Sequence, residues 1–212
     1  MPATSIAGFA SLPERVRAFI ALRLDAAVDD AIAALIERLR APQNDMNNIR
    51  EDGIRWVRRA NFHLTLFFLG PAVPRERLAP IADALGAIAE ATAPFEIVAH
   101  GVGVFPNPAR PRVIWVGLDG DGLAALAARV AEAAARYGFA PERRAYSPHL
   151  TIGRVRSLNS PGRLRRALGE AAGASFGVSR IECVTLYRSE LGPQSSIYHE
   201  LAAFPLGVRE RW

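Results

Sequence analysis

A four-residue pattern occurs twice in the chain and limits its folding more than any other feature of the sequence. Residues 63–66 read His-Leu-Thr-Leu, and residues 149–152 read His-Leu-Thr-Ile. Both copies lie in segments whose apolar pattern predicts β-strands. Because side chains alternate between the two faces of a strand, each copy places its histidine and threonine on one face and its aliphatic residues on the other. The chain therefore has to form two strands that each carry an imidazole beside a hydroxyl and bury their opposite face.

The other sequence patterns predict strands and helices in an order typical of an α+β fold. Several neighbouring predicted strands have only short connections, which favours antiparallel pairing over a doubly wound parallel sheet. The segment 1–13 is expected to be loose, residues 14–212 to form one domain, and the polar stretch 41–53 to be a loop. Strands are predicted over residues 16–22, 55–57, 61–69, 95–105, 112–118, 149–155, 180–188 and 196–204, and helices over 25–40, 74–91, 122–137 and 161–171.

The composition excludes several classes of protein. Of the 212 residues, 50% are hydrophobic and 22% are charged, which excludes a disordered or fibrous chain. The single cysteine excludes an intramolecular disulfide framework and favours a reducing compartment. The first dozen residues do not resemble a signal peptide, and no apolar run reaches the ~18 residues of a membrane helix. We therefore expect a cytoplasmic protein with no membrane partner.

The basic residues are all arginine, and the formal net charge is +5. Arginine suits the bidentate recognition of phosphate, and a positive surplus favours anionic partners such as nucleic acid. An Ala- and Arg-biased coding sequence gives the same composition with no functional meaning. The charge therefore favours a class of partner without identifying one.

The two His-x-Thr pairs supply the groups that cleavage of a phosphodiester requires. One proton has to leave the attacking oxygen and another has to reach the departing oxygen, and His63 and His149 can carry out both transfers. The hydroxyls of Thr65 and Thr151 can donate hydrogen bonds to the non-bridging phosphate oxygens. The scheme needs no metal or cofactor, and the sequence contains no HExxH motif, paired cysteines or Asp-rich ion loop. One such motif alone is typical of a half-buried strand, but two matched copies favour catalysis.

The similarity to known proteins extends beyond the two motifs. The chain resembles the two-histidine phosphoesterase superfamily, and most closely the RNA 2′,3′-cyclic phosphodiesterases, also called the 2′-5′ RNA ligase family. The segments that carry this resemblance are residues 17–22, 61–70, 101–106, 112–117 and 148–154.

The resemblance implies a fold and a reaction. The fold has two similar lobes, each an antiparallel sheet with outer helices, that face one another across a central cleft. The reaction is the metal-independent hydrolysis of an RNA 2′,3′-cyclic phosphate to a 2′-phosphomonoester. His63 would be the general acid that protonates the departing 3′ oxygen, and His149 would be the base that activates water. Thr65 and Thr151 would hold the phosphate oxygens.

Further residues are candidates for binding the substrate. Arg154 matches the phosphate-contacting arginine of the family, but strict strand alternation places it on the face opposite His149. It reaches the phosphate only if the strand ends or bulges near Gly153, which glycine permits. Aromatic side chains near the motifs or in turns can stack on a nucleobase or pack in the core, and these candidates are Phe105, Trp56 and Tyr146.

Two alternatives to RNA 2′,3′-cyclic phosphodiesterase activity remain open at this point. The same histidines can join RNA ends by a 2′-5′ bond or act on a small cyclic nucleotide. The protein can also be a module that binds RNA or nucleotides without turnover, although binding alone needs no paired acid and base. In each case we expect a monomer whose partner is a cyclic-phosphate RNA end or a nucleotide.

Overall fold

The structure, a computed structural model, describes residues 6–40, 53–140, 145–157, 161–192 and 195–207. Most of the loop predicted over 41–53 lies outside these residues. The described strands are β1 (Arg15–Leu22), β2 (Ile54–Trp56), β3 (Leu64–Pro74), β4 (Phe95–Phe105), β5 (Val113–Asp119), β6 (His149–Val155), β7 (Ser175–Ile181), β8 (Cys183–Leu191) and β9 (Ser196–Pro205). The described α-helices are α1 (Ala26–Arg40), α2 (Leu78–Glu90), α3 (Asp121–Arg136) and α4 (Pro161–Ala171).

The strands form one curled antiparallel sheet with the order β7-β4-β5-β6-β3-β1-β8-β9, and β2 pairs with β6. Strands β3 and β6, which carry the two His-x-Thr motifs, are neighbours at the centre of this sheet. They are joined by a single residue pair, Leu64 with Leu150. The eight strands of this order therefore divide into two halves of four that meet where the motifs lie, and β2 adds a ninth strand beside β6. This arrangement confirms the predicted α+β class with two similar lobes.

Helices on the outer face of the sheet link the two lobes. Helix α1 follows β1 of one lobe but packs against β7 of the other, and α3 follows β5 but packs against both β3 and β4. Helix α2 packs against β8 and β9, and α4 packs against β4. One hydrophobic cluster runs through both lobes and includes Leu64, Ile114 and Leu150. The strands that carry the motifs are therefore fixed by a core that the two lobes share.

The structure differs from the sequence prediction at the N-terminus. Ile6–Ser11, expected to be loose, forms a 3-10 helix in which the Phe9 side chain is buried. The Arg75 guanidinium donates hydrogen bonds to the carbonyl oxygens of Ala10 and Leu12. One buried ring and two backbone acceptors fix this segment, and the sequence gives no local signal for these distant contacts.

The prediction of one strand over residues 180–188 is wrong. The chain forms β7 and β8 there, with a break at Glu182. Strand β7 pairs with β4 at one edge of the sheet, whereas β8 pairs with β1 in the other lobe. The chain thus crosses between lobes inside a run of strand-forming residues, and nothing in the local pattern marks that crossing.

Candidate active site

The four polar residues of the motifs lie on one face of the sheet, around the pair of Leu64 with Leu150. Both leucines are buried, whereas the histidine and threonine of each motif are half-buried on the opposite face. Continuing the antiparallel register by one residue in each direction places the histidine of one motif opposite the threonine of the other. The result is a square of two imidazoles and two hydroxyls with approximate two-fold symmetry. The two copies of the sequence repeat therefore lie side by side on one face of the sheet.

The two imidazole rings are held in the same way. The Nδ1–H of His63 donates to the carbonyl oxygen of Asn61 at 2.8 Å, and the Nδ1–H of His149 donates to the carbonyl oxygen of Ser147 at 2.8 Å. Because a carbonyl oxygen only accepts, this contact assigns the proton of the neutral ring to Nδ1. Nε2 is then the atom of each ring that can accept or donate a proton during a reaction.

Aromatic side chains pack against both rings. The centroid of the His63 ring lies 4.9 Å from that of Phe19 and 5.2 Å from that of Tyr198, which is perpendicular to it. The centroid of the His149 ring lies 5.0 Å from that of Phe105, with the rings at 84°. The contacts of Tyr198 with His63 and of Phe105 with His149 have the edge-to-face arrangement that aromatic pairs favour. They limit the rotation of each imidazole, so the protein sets the direction of Nε2.

Electrostatics favour the neutral form of His63. Burial first, and then the charges of Arg23, Arg154 and His149, lower the pKa of His63 from 6.5 to about 4. The hydrogen bond to the Asn61 carbonyl acts in the opposite direction. His63 is therefore neutral at pH 7. For His63 to enter the reaction as the acid, as the resemblance implies, the bound phosphate anion has to raise this pKa.

A β-bulge brings Arg154 to the face of the motif. Trp115 pairs with Thr151 and Ile114 pairs with Gly153, which leaves Ile152 as an extra residue in β6. The bulge reverses the alternation after this point, so the exposed Arg154 shares a face with Thr151. The irregularity predicted near Gly153 is confirmed. The charge of Arg154 acts on His63, as expected of a guanidinium near the imidazoles.

The three aromatic candidates have different positions. Phe105 contacts His149, and its ring centroid lies 5.2 Å from that of Trp115. Trp56 pairs with Gly153 and packs against the hydrophobic core, on the face opposite His149. Tyr146 is 38% exposed in the segment that precedes β6. Among the three, Phe105 is the one that the structure brings against a motif histidine, and stacking on a base remains a prediction.

Sequence reasoning missed three residues near His63, namely Phe19, Arg23 and Tyr198. Phe19 lies on β1, the strand next to β3, and pairs with Phe68. Strand alternation alone can assign Phe19 to a face, but assigning it to the face of His63 requires the pairing of β1 with β3. Tyr198 comes from β9, which does not neighbour β3 in the sheet, and no local pattern connects the two.

The described residues contain no group of three or more His, Cys, Asp or Glu side chains placed to hold a metal ion. None of the helices among them has the length and hydropathy to cross a membrane.

The fold and the paired motifs together define a two-histidine phosphoesterase. The model of the 2′-5′ RNA ligase superfamily matches residues 28–190, and the chain belongs to this superfamily. The chain is 33% identical over 193 residues to the RNA 2′,3′-cyclic phosphodiesterase of Methanothermobacter thermautotrophicus, covering 91% of this chain and 100% of the relative. It is 32% identical to the protein of the same name from Archaeoglobus fulgidus, covering 89% of this chain and 99% of the relative.

Solved structures share the fold. The structure of LigT from E. coli in complex with 3′-AMP matches with a TM-score of 0.70 and 26% identity, covering 91% of this chain and 99% of LigT. The protein TT0787 of Thermus thermophilus matches with a TM-score of 0.70 and 28% identity, covering 92% of this chain and all of TT0787.

Proposed function

We propose that this protein hydrolyses the 2′,3′-cyclic phosphate end of RNA to a 2′-phosphomonoester. The observation that carries the proposal is the joining of both His-x-Thr motifs into one square through the pair of Leu64 with Leu150. The names of the relatives support the substrate. All four motif residues belong to one chain, so the reaction needs no second copy. The single cysteine fits a reducing compartment, and we place the reaction in the cytoplasm.

The proposed reaction assigns one proton transfer to each histidine. Nε2 of His149 accepts a proton from water as the water oxygen bonds to phosphorus. The bond from phosphorus to the 3′ oxygen breaks, and Nε2 of His63 donates a proton to that oxygen. The 2′ ester bond stays intact, so the product is a 2′-phosphomonoester. The phosphate anion raises the pKa of His63 when it binds, because a negative charge stabilises the imidazolium.

The remaining polar groups stabilise the phosphate. Thr65 and Thr151 each donate a hydrogen bond to a non-bridging oxygen, and these donors matter most as negative charge develops there. Arg154, brought to this face by the bulge at Ile152, adds a positive charge and up to five N–H donors. Phe105 lies against His149 and offers a flat surface for the terminal base.

Replacing Arg154 with glutamine is expected to weaken substrate binding. The variant loses a charge-assisted contact, whose typical worth of about 1.5–3 kcal/mol corresponds to a rise in KM of roughly 10- to 100-fold. The measurement is kcat and KM on a short RNA that ends in a 2′,3′-cyclic phosphate. Arg112→Gln, on the segment before β5, is a control that removes an equal charge. An equal rise in KM for both variants would mean that Arg154 contributes only to the general positive charge.

Product analysis in the presence of excess EDTA tests the proposed function. Purified protein is incubated with an RNA that ends in a 2′,3′-cyclic phosphate, and the product end is compared with 2′- and 3′-phosphate standards. We expect a 2′-phosphate that a phosphatase removes. A 3′-phosphate would overturn the assigned bond cleavage, and turnover that requires added Mg²⁺ would overturn metal independence.

The same assay separates the alternatives. Faster turnover of a cyclic mononucleotide than of the RNA end would indicate a small cyclic nucleotide as substrate. Formation of a longer RNA from two ends would indicate ligation. Tight, salt-sensitive RNA binding without any product would indicate a binding module.

A further inference from the structure

The approximate symmetry of the site fails at one position beside each histidine. Leu22 of β1 pairs with Leu64, so the next residue, Arg23, comes opposite His63. In the other lobe Val116 of β5 pairs with Leu150, and the next residue, Gly117, pairs with His149. Arg23 and Gly117 are therefore equivalent positions. One histidine has a cation as its neighbour across the strand, whereas the other has no side chain there.

Arg23 is fixed by contacts on two sides. Its Nη1 donates to the carbonyl oxygen of Ala60 at 2.8 Å, and its Nη2 lies 3.3 Å from Oδ2 of Asp29. Ala60 precedes Asn61, whose carbonyl oxygen accepts the Nδ1–H of His63. The guanidinium therefore supports the turn that orients the imidazole. Its side chain remains 40% exposed, and its charge lowers the pKa of His63.

The anchor of Arg23 is a buried carboxylate. The Asp29 side chain is only 2% exposed, and its Oδ1 has no hydrogen-bond partner among the described residues. Burial raises the pKa of Asp29 to about 6, while the charges of Arg23 and Arg59 oppose that rise. As the pH falls through this value Asp29 loses its charge, and the charge of Arg23 is then less compensated. The charge of Arg23 therefore disfavours protonation of His63 most strongly on the acid side of neutrality.

We propose that Arg23 is a positioning residue that sets the charge state in which His63 meets the substrate, and so makes the two histidines of a symmetric site chemically different. The charged and titratable groups that face His63 are Arg23, which follows β1, Arg154 and His149 from β6, and Tyr198 from β9. The charges of the first three disfavour the imidazolium. The bound phosphate opposes all three, so His63 gains its proton when an anion occupies the cleft. This inference rests on the proposed function for its role in catalysis, although the charge state itself can be measured without turnover.

Titration of His63 by NMR tests the proposal. The carbon-bound ring protons of selectively labelled histidines are followed with pH in the parent protein, in Arg23→Gln and in Arg23→Lys, and a His63→Ala spectrum assigns the signal. In Arg23→Gln we expect the pKa of His63 to rise by about 1, the lower end of the effect of one neighbouring charge. Starting from a pKa of about 4, the protonated fraction at pH 5 then rises roughly fivefold. Arg23→Lys keeps the charge and is expected to return the pKa towards that of the parent protein.

A double variant controls for loss of stability in Arg23→Gln. Arg23→Gln leaves Asp29 buried without its cation, whereas Arg23→Gln combined with Asp29→Asn removes both charges. We expect the pKa of His63 to be raised in this double variant as well. An unchanged pKa of His63 in the folded double variant, or a change that Arg23→Lys reproduces, would overturn the proposal.

Kinetic measurements test whether the charge state of His63 affects the reaction. The pH profile of kcat/KM reports the pKa values of the free enzyme. The limb of this profile that His63 controls should therefore move towards neutral pH in Arg23→Gln and return in Arg23→Lys. A shifted NMR titration with no RNA turnover in any variant would support the role of Arg23 while rejecting the proposed function. Turnover whose pH profile is the same in all variants would reject the role of Arg23 and keep the proposed function.

Discussion

Replacing His149 with alanine is expected to lower kcat/KM for a cyclic-phosphate RNA end by on the order of 10²- to 10⁴-fold. That is the usual contribution of a general acid or base. The Nδ1–H of His149 is bonded to the Ser147 carbonyl, so Nε2 is the single ring atom left to accept a proton. The same loss is expected for His63→Ala, because each ring carries out one of two coupled transfers. The measurement is single-turnover hydrolysis with the protein in excess.

A histidine outside the two motifs provides the matched control for this experiment. His199 lies on β9, its ring is 45% exposed, and its Nε2 lies 3.3 Å from Oε2 of Glu190. His199→Ala removes an imidazole of the same chemistry from outside the motifs and should leave kcat/KM within about twofold of the parent value, as is usual for surface substitutions. The double variant of both motif histidines should be little slower than either single variant, because groups that act as a unit are not additive. Wild-type turnover in folded His63→Ala and His149→Ala would show that the histidines are not catalytic.

The sequence predicts much of the site because the motif and the strand period are both local. Alternation alone assigns His63 and Thr65 to one face and Leu64 to the other, and the structure agrees. The repeat predicts that the two copies act together. It does not contain the register that joins them, since the pair of Leu64 with Leu150 connects residues far apart in sequence. The resemblance to the family implies that the two motifs face each other, and the structure shows the residue pair that joins their strands.

The parts that the sequence does not predict depend on long-range contacts. Arg154 breaks strand alternation, and only the pairing of β5 with β6 shows that Ile152 is the extra residue. Arg23 looks like an ordinary arginine at the end of a strand until Asp29 and the Ala60 carbonyl are placed around it. Trp56 is a plausible base-stacking residue by its position in the chain, but its pairing with Gly153 directs it to the core. In each case the missing information is which segment lies next to which.

Replacing Thr65 or Thr151 with valine is expected to lower kcat by on the order of 10²- to 10³-fold, the usual effect of removing one hydrogen-bond donor to developing negative charge. The equivalent positions of the two threonines around the Leu64–Leu150 pair predict similar losses for both variants. Valine is β-branched like threonine and is favoured in strands, so the sheet should keep its stability. Single-turnover rates and thermal unfolding on the same samples give both quantities.

Serine at the same positions provides the control. Thr65→Ser and Thr151→Ser keep the hydroxyl and lose only a methyl group, so each should retain most of the activity that valine removes. The pattern of activity losses at the two positions distinguishes between two roles for the threonines. Equal losses at both positions mean that each hydroxyl stabilises the phosphate in the transition state. A loss at Thr151 alone would mean that the phosphate lies closer to β6, where Arg154 also points, and that the second lobe provides most of the binding. Full activity in both valine variants would contradict the hydrogen bonds to phosphate and leave the reaction to the histidines and Arg154.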